Sequence, residues 1–184
     1  MKTKLLFATA IVYWNMFAQA PEVAWTRVYN CPGNESAKSI DQTTDGGYIL
    51  GGYSYSDISG DKTENCQGNH DYWVVKLDAT GNLQWQNTIG GDNWDKLKSI
   101  QQTTDGSYIF GGYSSSNISG DKTENSQGNY DYWVINIDSI GNILWQNTIG
   151  GLYAEALSSI KQSLSCLSIS ISITKRLYKR ISFY

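Results

Sequence analysis

Histidine occurs once in the 184 residues, proline twice and cysteine three times, and charged residues make up only 17% of the chain. With a formal net charge of −3 and no basic cluster in the repeats, the sequence lacks the positive surface that nucleic acid demands. Cys31, Cys66 and Cys166 are odd in number and lack metal-ligand spacing, which excludes a cysteine-based zinc site. A Cys31–Cys66 disulfide stays open if the compartment is oxidising. Long apolar runs are missing too. The one candidate, residues 5–12, is followed by Asn15 and Gln19, whereas a spanning helix needs about 20 apolar residues. Stable membrane insertion is therefore not expected.

Aromatic and glycine residues are plentiful: 18 Gly, 13 Tyr and 7 Trp. Aromatic and β-branched residues separated by Gly, Asn and Asp are the composition of short strands and tight turns, so the class reads as all-β. The first twenty residues stand apart from this. Lys2 and Lys4 precede the uncharged stretch, and Ala18-Gln19-Ala20 offers small residues where a signal peptidase cuts. Pro21 hinders cleavage after Ala20, which leaves Ala18 as a second site. Residues 1–20 are read as a signal peptide.

Self-similarity dominates the rest. Lys38-Ser39-Ile40 recurs as Lys98-Ser99-Ile100, and the run from Gln42 to Gly46 recurs from Gln102 to Gly106. Ile58 to Asn65 matches Ile118 to Asn125, and Trp85 to Gly91 matches Trp145 to Gly151, always at an offset of 60. A fixed period of this length marks a repeat architecture. Each unit divides into four strand candidates separated by turn signals. In the first unit these are 37–42, 48–54, 71–77 and 83–89, with a long polar loop before the third. Alternation places Trp73, Val75 and Leu77 on one face, matched by Trp133, Ile135 and Ile137. Leu83, Trp85 and Ile89 share a face of the fourth strand, and Lys76, which becomes Asn136, is expected to face solvent. Gly51-Gly52 and Gly111-Gly112 fall inside a strand, a position that points to close backbone approach.

Four sequential, hairpin-linked antiparallel strands describe a β-propeller blade. The strings Thr43-Thr44-Asp45-Gly46-Gly47-Tyr48-Ile49-Leu50-Gly51-Gly52-Tyr53-Ser54, Gly60-Asp61-Lys62-Thr63-Glu64-Asn65, Asp71 to Asp78 and Gly81 to Gly91 carry a resemblance. Over residues 22–162 the chain resembles the secreted β-propeller repeat proteins of bacteria that export cargo by type IX secretion. The resemblance implies export, a propeller of more blades than two, and a C-terminal sorting domain, so this sequence reads as a truncated representative. The expected organisation is a signal peptide at 1–20 and a strand of an incomplete preceding blade at 21–33, around Trp25 to Tyr29. Blades follow at 34–91 and 92–151, then the start of a third repeat at 152–162 and a non-repeat tail at 163–184. After Gln162 the motif gives way to alternating Ser and Ile or Leu, ending in basic pairs. A shifted reading frame with an irregular tail is the preferred reading. A genuine final strand and a basic segment touching a membrane surface are the alternatives.

No residue is assigned a catalytic, cofactor-binding or metal-binding role. His70 becomes Tyr130 in the second unit, so it reads as a solvated loop histidine. Asp57, Asp61, Glu64, Asn65, Asn69 and Asp71, with Asn117, Asp121, Glu124, Asn125, Asn129 and Asp131, have the oxygen density that suits Ca²⁺. They lack EF-hand order, however, and Lys62 opposes a cation; the loops read instead as held by turn hydrogen bonds and a Lys–Glu contact. Asp45 and Asp105 precede glycine in turns, and no carboxylate pair breaks the repeat as a glycosidase pair would. Tyr53, Tyr55 and Tyr113 read as cross-strand packing partners, with sugar stacking as the alternative.

The expected function is a non-catalytic secreted or cell-surface module for binding or scaffolding, a fragment of a longer propeller without a cofactor. Its ligand would be a protein or glycan, and bare blade faces would promote self-association. The alternatives are a remnant of a propeller enzyme acting on glycans, or a truncated product with no function of its own. N-terminal sequencing of protein from the culture medium should begin at Gln19 or Pro21. An intact Met1 in the soluble cytosol would refute export.

Overall fold

The computed structural model describes residues 24–29 and 32–162, together with the backbone of 168–173 and 179–182. The expected signal peptide, Cys31 and Cys166 lie outside the described residues. The fold is all-β: two four-stranded antiparallel sheets form two blades of an incomplete β-propeller. The first sheet comprises β1 (Ser36–Gln42), β2 (Tyr48–Ser54), β3 (Asp71–Leu77) and β4 (Leu83–Ile89). The second comprises β5 (Asp95–Gln102), β6 (Tyr108–Ser114), β7 (Asp131–Ile137) and β8 (Ile143–Ile149), and each sheet keeps sequence order.

Turn chemistry sets the hairpins. Between β1 and β2 the Thr43 amide donates to Gly47 O at 2.9 Å, and Gly46 adopts φ 82°, a left-handed conformation that suits glycine. Asp45 Oδ1 accepts from Thr43 Oγ1 and the Gly47 amide, which locks the turn from inside. Asp78 does the same for the β3–β4 hairpin, with its Oδ1 accepting from the amides of Thr80 and Asn82.

The second blade is covered on both faces, and the first on the face that meets it. Ile49, Tyr72, Val74 and Ile89 of the first meet Phe110, Trp133, Ile135 and Ile137 of the second, with Leu97 and Ile100 from β5 between them. The opposite face of the second blade repeats the contact through Ile109, Tyr132 and Val134, now against Leu157 and Ile160. Gly51 makes room for this stacking, since a Cβ there would sit 2.7 Å from Leu97 Cδ2.

Burial overturns the expectation that Lys76 faces solvent. Lys76 is only 2% exposed. Its Nζ pairs with Asp45 Oδ2 at 2.9 Å and donates to Leu77 O at 2.9 Å. Hydrogen bonds from Thr43 and Lys76 hold the Asp45 carboxyl down at about 2. The second blade solves the same position differently. Asn136, also buried, donates to Ser107 Oγ at 3.1 Å and to Tyr108 O at 3.2 Å. Ser107 occupies the place of Gly47, where a Cβ would come 2.2 Å from Leu77 O and 2.7 Å from Lys76 Nζ. Long lysine with glycine, and short asparagine with serine, are two fillings of one site. A β-bulge at Lys76/Leu77 shifts the register, so Leu83 leaves the face of Trp85 and is 39% exposed.

The expected strand at Trp25–Tyr29 is not a strand. This segment is tied to the β3–β4 hairpin by side chains instead of ladder bonds: Trp25 Nε1 donates to Ala79 O at 3.2 Å and Tyr29 Oη to Gly81 O at 2.6 Å. It still stands where a preceding β4 would. Trp85 Nε1 reaches Ser139 O at 3.2 Å in the same way, and Trp25–Tyr48 and Trp85–Tyr108 are both edge-to-face pairs. The segment covers the first blade incompletely. Trp73 and Leu50 remain half-buried beside a groove of about 290 Å³, whereas their counterparts Trp133 and Phe110 are fully buried.

Beyond the first residues of the third repeat, where an irregular tail is expected, the backbone carries two further strands. β9 (Leu157–Gln162) pairs with β10 (Ser168–Ile173), which pairs with β11 (Lys179–Ser182). Ile171 lies opposite Ile160, and Ile169 opposite Gln162. Alternating Ser and Ile satisfies the period-two requirement of a strand even without the turn motif of the repeat. Residues 163–167 and 174–178 lie outside the described residues.

The exchange between blades is testable. Gly47→Ser alone, which crowds Leu77 O and Lys76, and Lys76→Asn alone, which removes the ion pair with Asp45 and leaves a void, should each destabilise by about 1–3 kcal/mol. The double substitution installs the pair found in the second blade and should fall short of the sum by about 1 kcal/mol or more in denaturant melts. Strict additivity would show that the two positions are uncoupled.

Candidate functional site

In the oxygen-rich loops before β3 and β7, Glu64, Asp71, Glu124 and Asp131 are spent on backbone amides. Asn65 Oδ1 accepts from the Ile58 amide at 3.0 Å, Glu64 from the Thr88 amide and Asp71 from the Gln67 amide. Asn125, Glu124 and Asp131 repeat all three bonds in the second loop. Lys62 and Lys122, each 1% exposed, occupy the loop interiors and donate to Glu64 O and Glu124 O. The lysine contact is thus with the glutamate backbone. Among the described residues no group of three or more His, Cys, Asp or Glu is placed to hold a metal ion. Cys66 Sγ donates to Ser54 O at 3.2 Å, as Ser126 Oγ does to Ser114 O, and burial pushes the thiol up to about 11.

A second set of acids pins one blade to the next. Asp71, at the start of β3, and Asp95, at the start of β5, are both fully buried. Asp95 Oδ2 accepts from the Gly91 amide at 2.8 Å and Ser116 Oγ at 2.9 Å. A Cβ at Gly90 would strike the Asp71 carboxylate, and one at Gly150 would strike Asp131, so glycine is required at both chain crossings. Burial, with the Asp95 charge adding to it, pushes Asp71 up to about 6, and burial raises Asp95 as well. These pairs recur at equivalent positions in both units, Glu155 standing with Asp131 at the second junction, and they bond to the framework itself.

The rim above these junctions has a different chemistry. His70, expected in solvent, is half-buried and stacks on Trp94 with ring centroids 4.6 Å apart. Tyr53 and Tyr55 approach the same imidazole at 5.6 Å and 5.7 Å. Desolvation, and then the charge of Lys96, lower the His70 pKa. Lys96 Nζ lies 4.1 Å from the Trp94 ring and 4.9 Å from the Tyr53 ring, and Lys38 Nζ lies 5.3 Å from Tyr53. At the following junction Tyr113 meets Tyr130 edge-to-face at 5.2 Å, with Lys98 Nζ 5.3 Å from Tyr113. A groove of about 570 Å³ opens between the two clusters, lined by Trp94, Lys96, Lys98, Tyr113, Tyr130 and Glu155 among others.

Tyr53, Tyr55 and Tyr113, singled out from sequence, therefore do pack on aromatic neighbours, and they do so along a surface that stays accessible. Trp94, Lys96 and Lys98 were not singled out. Their signal lies in the comparison of repeats: Trp94 aligns with Ala154, Lys96 with Ala156, Tyr55 with Ser115 and His70 with Tyr130. Four rim positions are thus exchanged between copies, while Tyr53 and Lys38 are kept as Tyr113 and Lys98. Asp45 and Asp105, by contrast, sit in their turns as expected, with Asp105 Oδ1 accepting from Thr103 and Ser107.

Fold and rim together define an all-β blade-repeat protein with an aromatic and cationic surface at its blade junctions. No protein-family model matches the chain, and no curated protein matches it.

The buried acids fix a pH response. Asp71 titrates near 6 when folded, against an ordinary value of 3.8, so folding takes up protons between those limits. Stability should fall as pH rises from about 4 to about 6, and Asp71→Asn should flatten that slope in thermal melts. An unchanged slope would assign the titration to another group.

Proposed function

We propose that this chain is a non-catalytic, secreted repeat module for binding or scaffolding, of the type IX cargo kind and part of a longer propeller. The observation that carries this reading is the division of labour between framework and rim. The buried acids Asp71, Asp95 and Asp131 are bound into structural contacts that recur from blade to blade. The accessible chemistry, aromatic rings and lysines, lies at the blade junctions and includes four positions at which the repeats differ, as expected of a surface that selects a ligand. Export rests on the character of residues 1–20. Among the described residues no helix is long and apolar enough to cross a membrane. The half-covered Trp73 face supports self-association of the chain, since a blade stacked there would bury it as Trp133 is buried.

The test is incubation of the full chain with a glycan panel, following both retention and product release. Binding without shortened or modified saccharides is expected. Turnover would refute the reading in favour of a propeller enzyme.

A further inference from the structure

We propose that the groove at the second blade junction binds an acidic oligosaccharide, with Tyr113 and Tyr130 as its aromatic walls, Trp94 as the ring that backs Lys96, and Lys96 and Lys98 as the anion-recognising groups. The proposal rests on the binding-module reading above and names its ligand class.

Three features of the groove converge on this chemistry. The first is its ring content. Tyr113 and Tyr130 are half-buried and Trp94 is 36% exposed, so aromatic surface is presented within a concave site. A pyranose ring offers an apolar C–H face that fits flat aromatic surface, while its hydroxyls remain at the edges to be read by polar groups.

Uncompensated positive charge is the second feature. The Lys96 and Lys98 ammoniums are held over the rings of Trp94 and Tyr113, at 4.1 Å and 5.3 Å. Neither forms an ion pair among the described residues, in contrast to Lys76. Both side chains are half-buried, so part of their hydration is already gone. Ring contacts of this kind position an ammonium without neutralising it, and a ligand carboxylate would complete it with a charge-assisted hydrogen bond. A neutral sugar would leave that interaction unused.

The third feature is Glu155, half-buried in the lining. Its Oε2 accepts from the Gly151 amide at 3.3 Å, which anchors the groove wall, and a carboxylate has further lone pairs for sugar hydroxyls. On a chain of net charge −3, two lysines do not make the extended basic track that a single-stranded nucleic acid follows, and the hydroxyls of a uronic acid give the polar groups of the groove a second handle.

The experiment uses the full chain with tetragalacturonic acid, maltotetraose and a short oligothymidylate as probes, read by titration calorimetry and by quenching of tryptophan fluorescence. Tetragalacturonic acid should bind at least tenfold more tightly than the other two. Its affinity should drop about fivefold on Lys96→Gln and on Lys98→Gln, and should fall as salt is raised to about 0.5 M. Trp94→Ala should abolish the quench, while Trp94→Phe, which keeps a ring behind Lys96, should retain most of the affinity. Equal binding of maltotetraose, or affinity indifferent to both lysines and salt, would overturn the acidic ligand and leave the module reading intact. Preference for oligothymidylate would overturn it as well, and so would failure of all three probes to bind. Release of shortened galacturonates would instead overturn the non-catalytic reading while leaving the groove as the place of binding.

Discussion

Tyr72 and Trp133 lie at the centre of the contact between the two blades, their rings 5.1 Å apart and the tyrosine hydroxyl donating to Trp133 O at 3.1 Å. Both are fully buried, and they come from the third strands of successive repeats. A sheet with two apolar faces cannot stand alone in water, so each blade depends on the next to cover what it exposes. The other distinctive positions serve this stacking. Gly51 lets β5 cross close to the first blade, Gly90 lets the chain pass over Asp71, and the buried carboxylates satisfy amides that the crossing would otherwise orphan.

Because that framework is fixed by burial and bonding, a change within it comes with a matching one, as at positions 47 and 76, and single changes find room in places it does not use. The rim is such a place. Trp94 is anchored through its backbone, its carbonyl accepting from the Ser115 amide at 2.9 Å, and its side chain is free to differ from the Ala154 of the following repeat. Positions with a constant backbone and an unconstrained side chain are the ones on which a repeat protein diversifies its surface.

Much of the fold was legible in the sequence. The strand bounds of β2, β3 and β4 follow directly from alternation and turn residues, because period-two patterning and the Asp-Gly and Gly-Asn turns are local signals. Lys76 was misread for a nonlocal reason: its burial depends on Asp45, thirty-one residues away, and on a neighbouring blade that alternation within one strand cannot reveal. The segment around Trp25 carries a strand-like sequence, but strand geometry needs a ladder partner, and side-chain bonds to the hairpin took its place. The tail lost the turn motif and kept the alternation, and alternation alone was enough for pairing with β9. The aromatic rim was legible only in part, since Tyr53 and Tyr113 stand out within a strand while Trp94 and Lys96 acquire meaning from the junction they border.

The paired fillings at positions 47 with 76 and 107 with 136 bear on how such a gene can evolve. Near-identical repeats invite unequal crossing-over, which joins the front of one unit to the back of another at the common offset. An exchange whose breakpoint falls outside the span between the two partners transfers a matched pair, and the hybrid blade closes as either parent does. A breakpoint inside that span sets serine against lysine or glycine against asparagine, crowding the site in one product and hollowing it in the other. Blade number can therefore grow or shrink freely only at certain seams, and those seams lie toward the ends of the unit, near the junctions between blades.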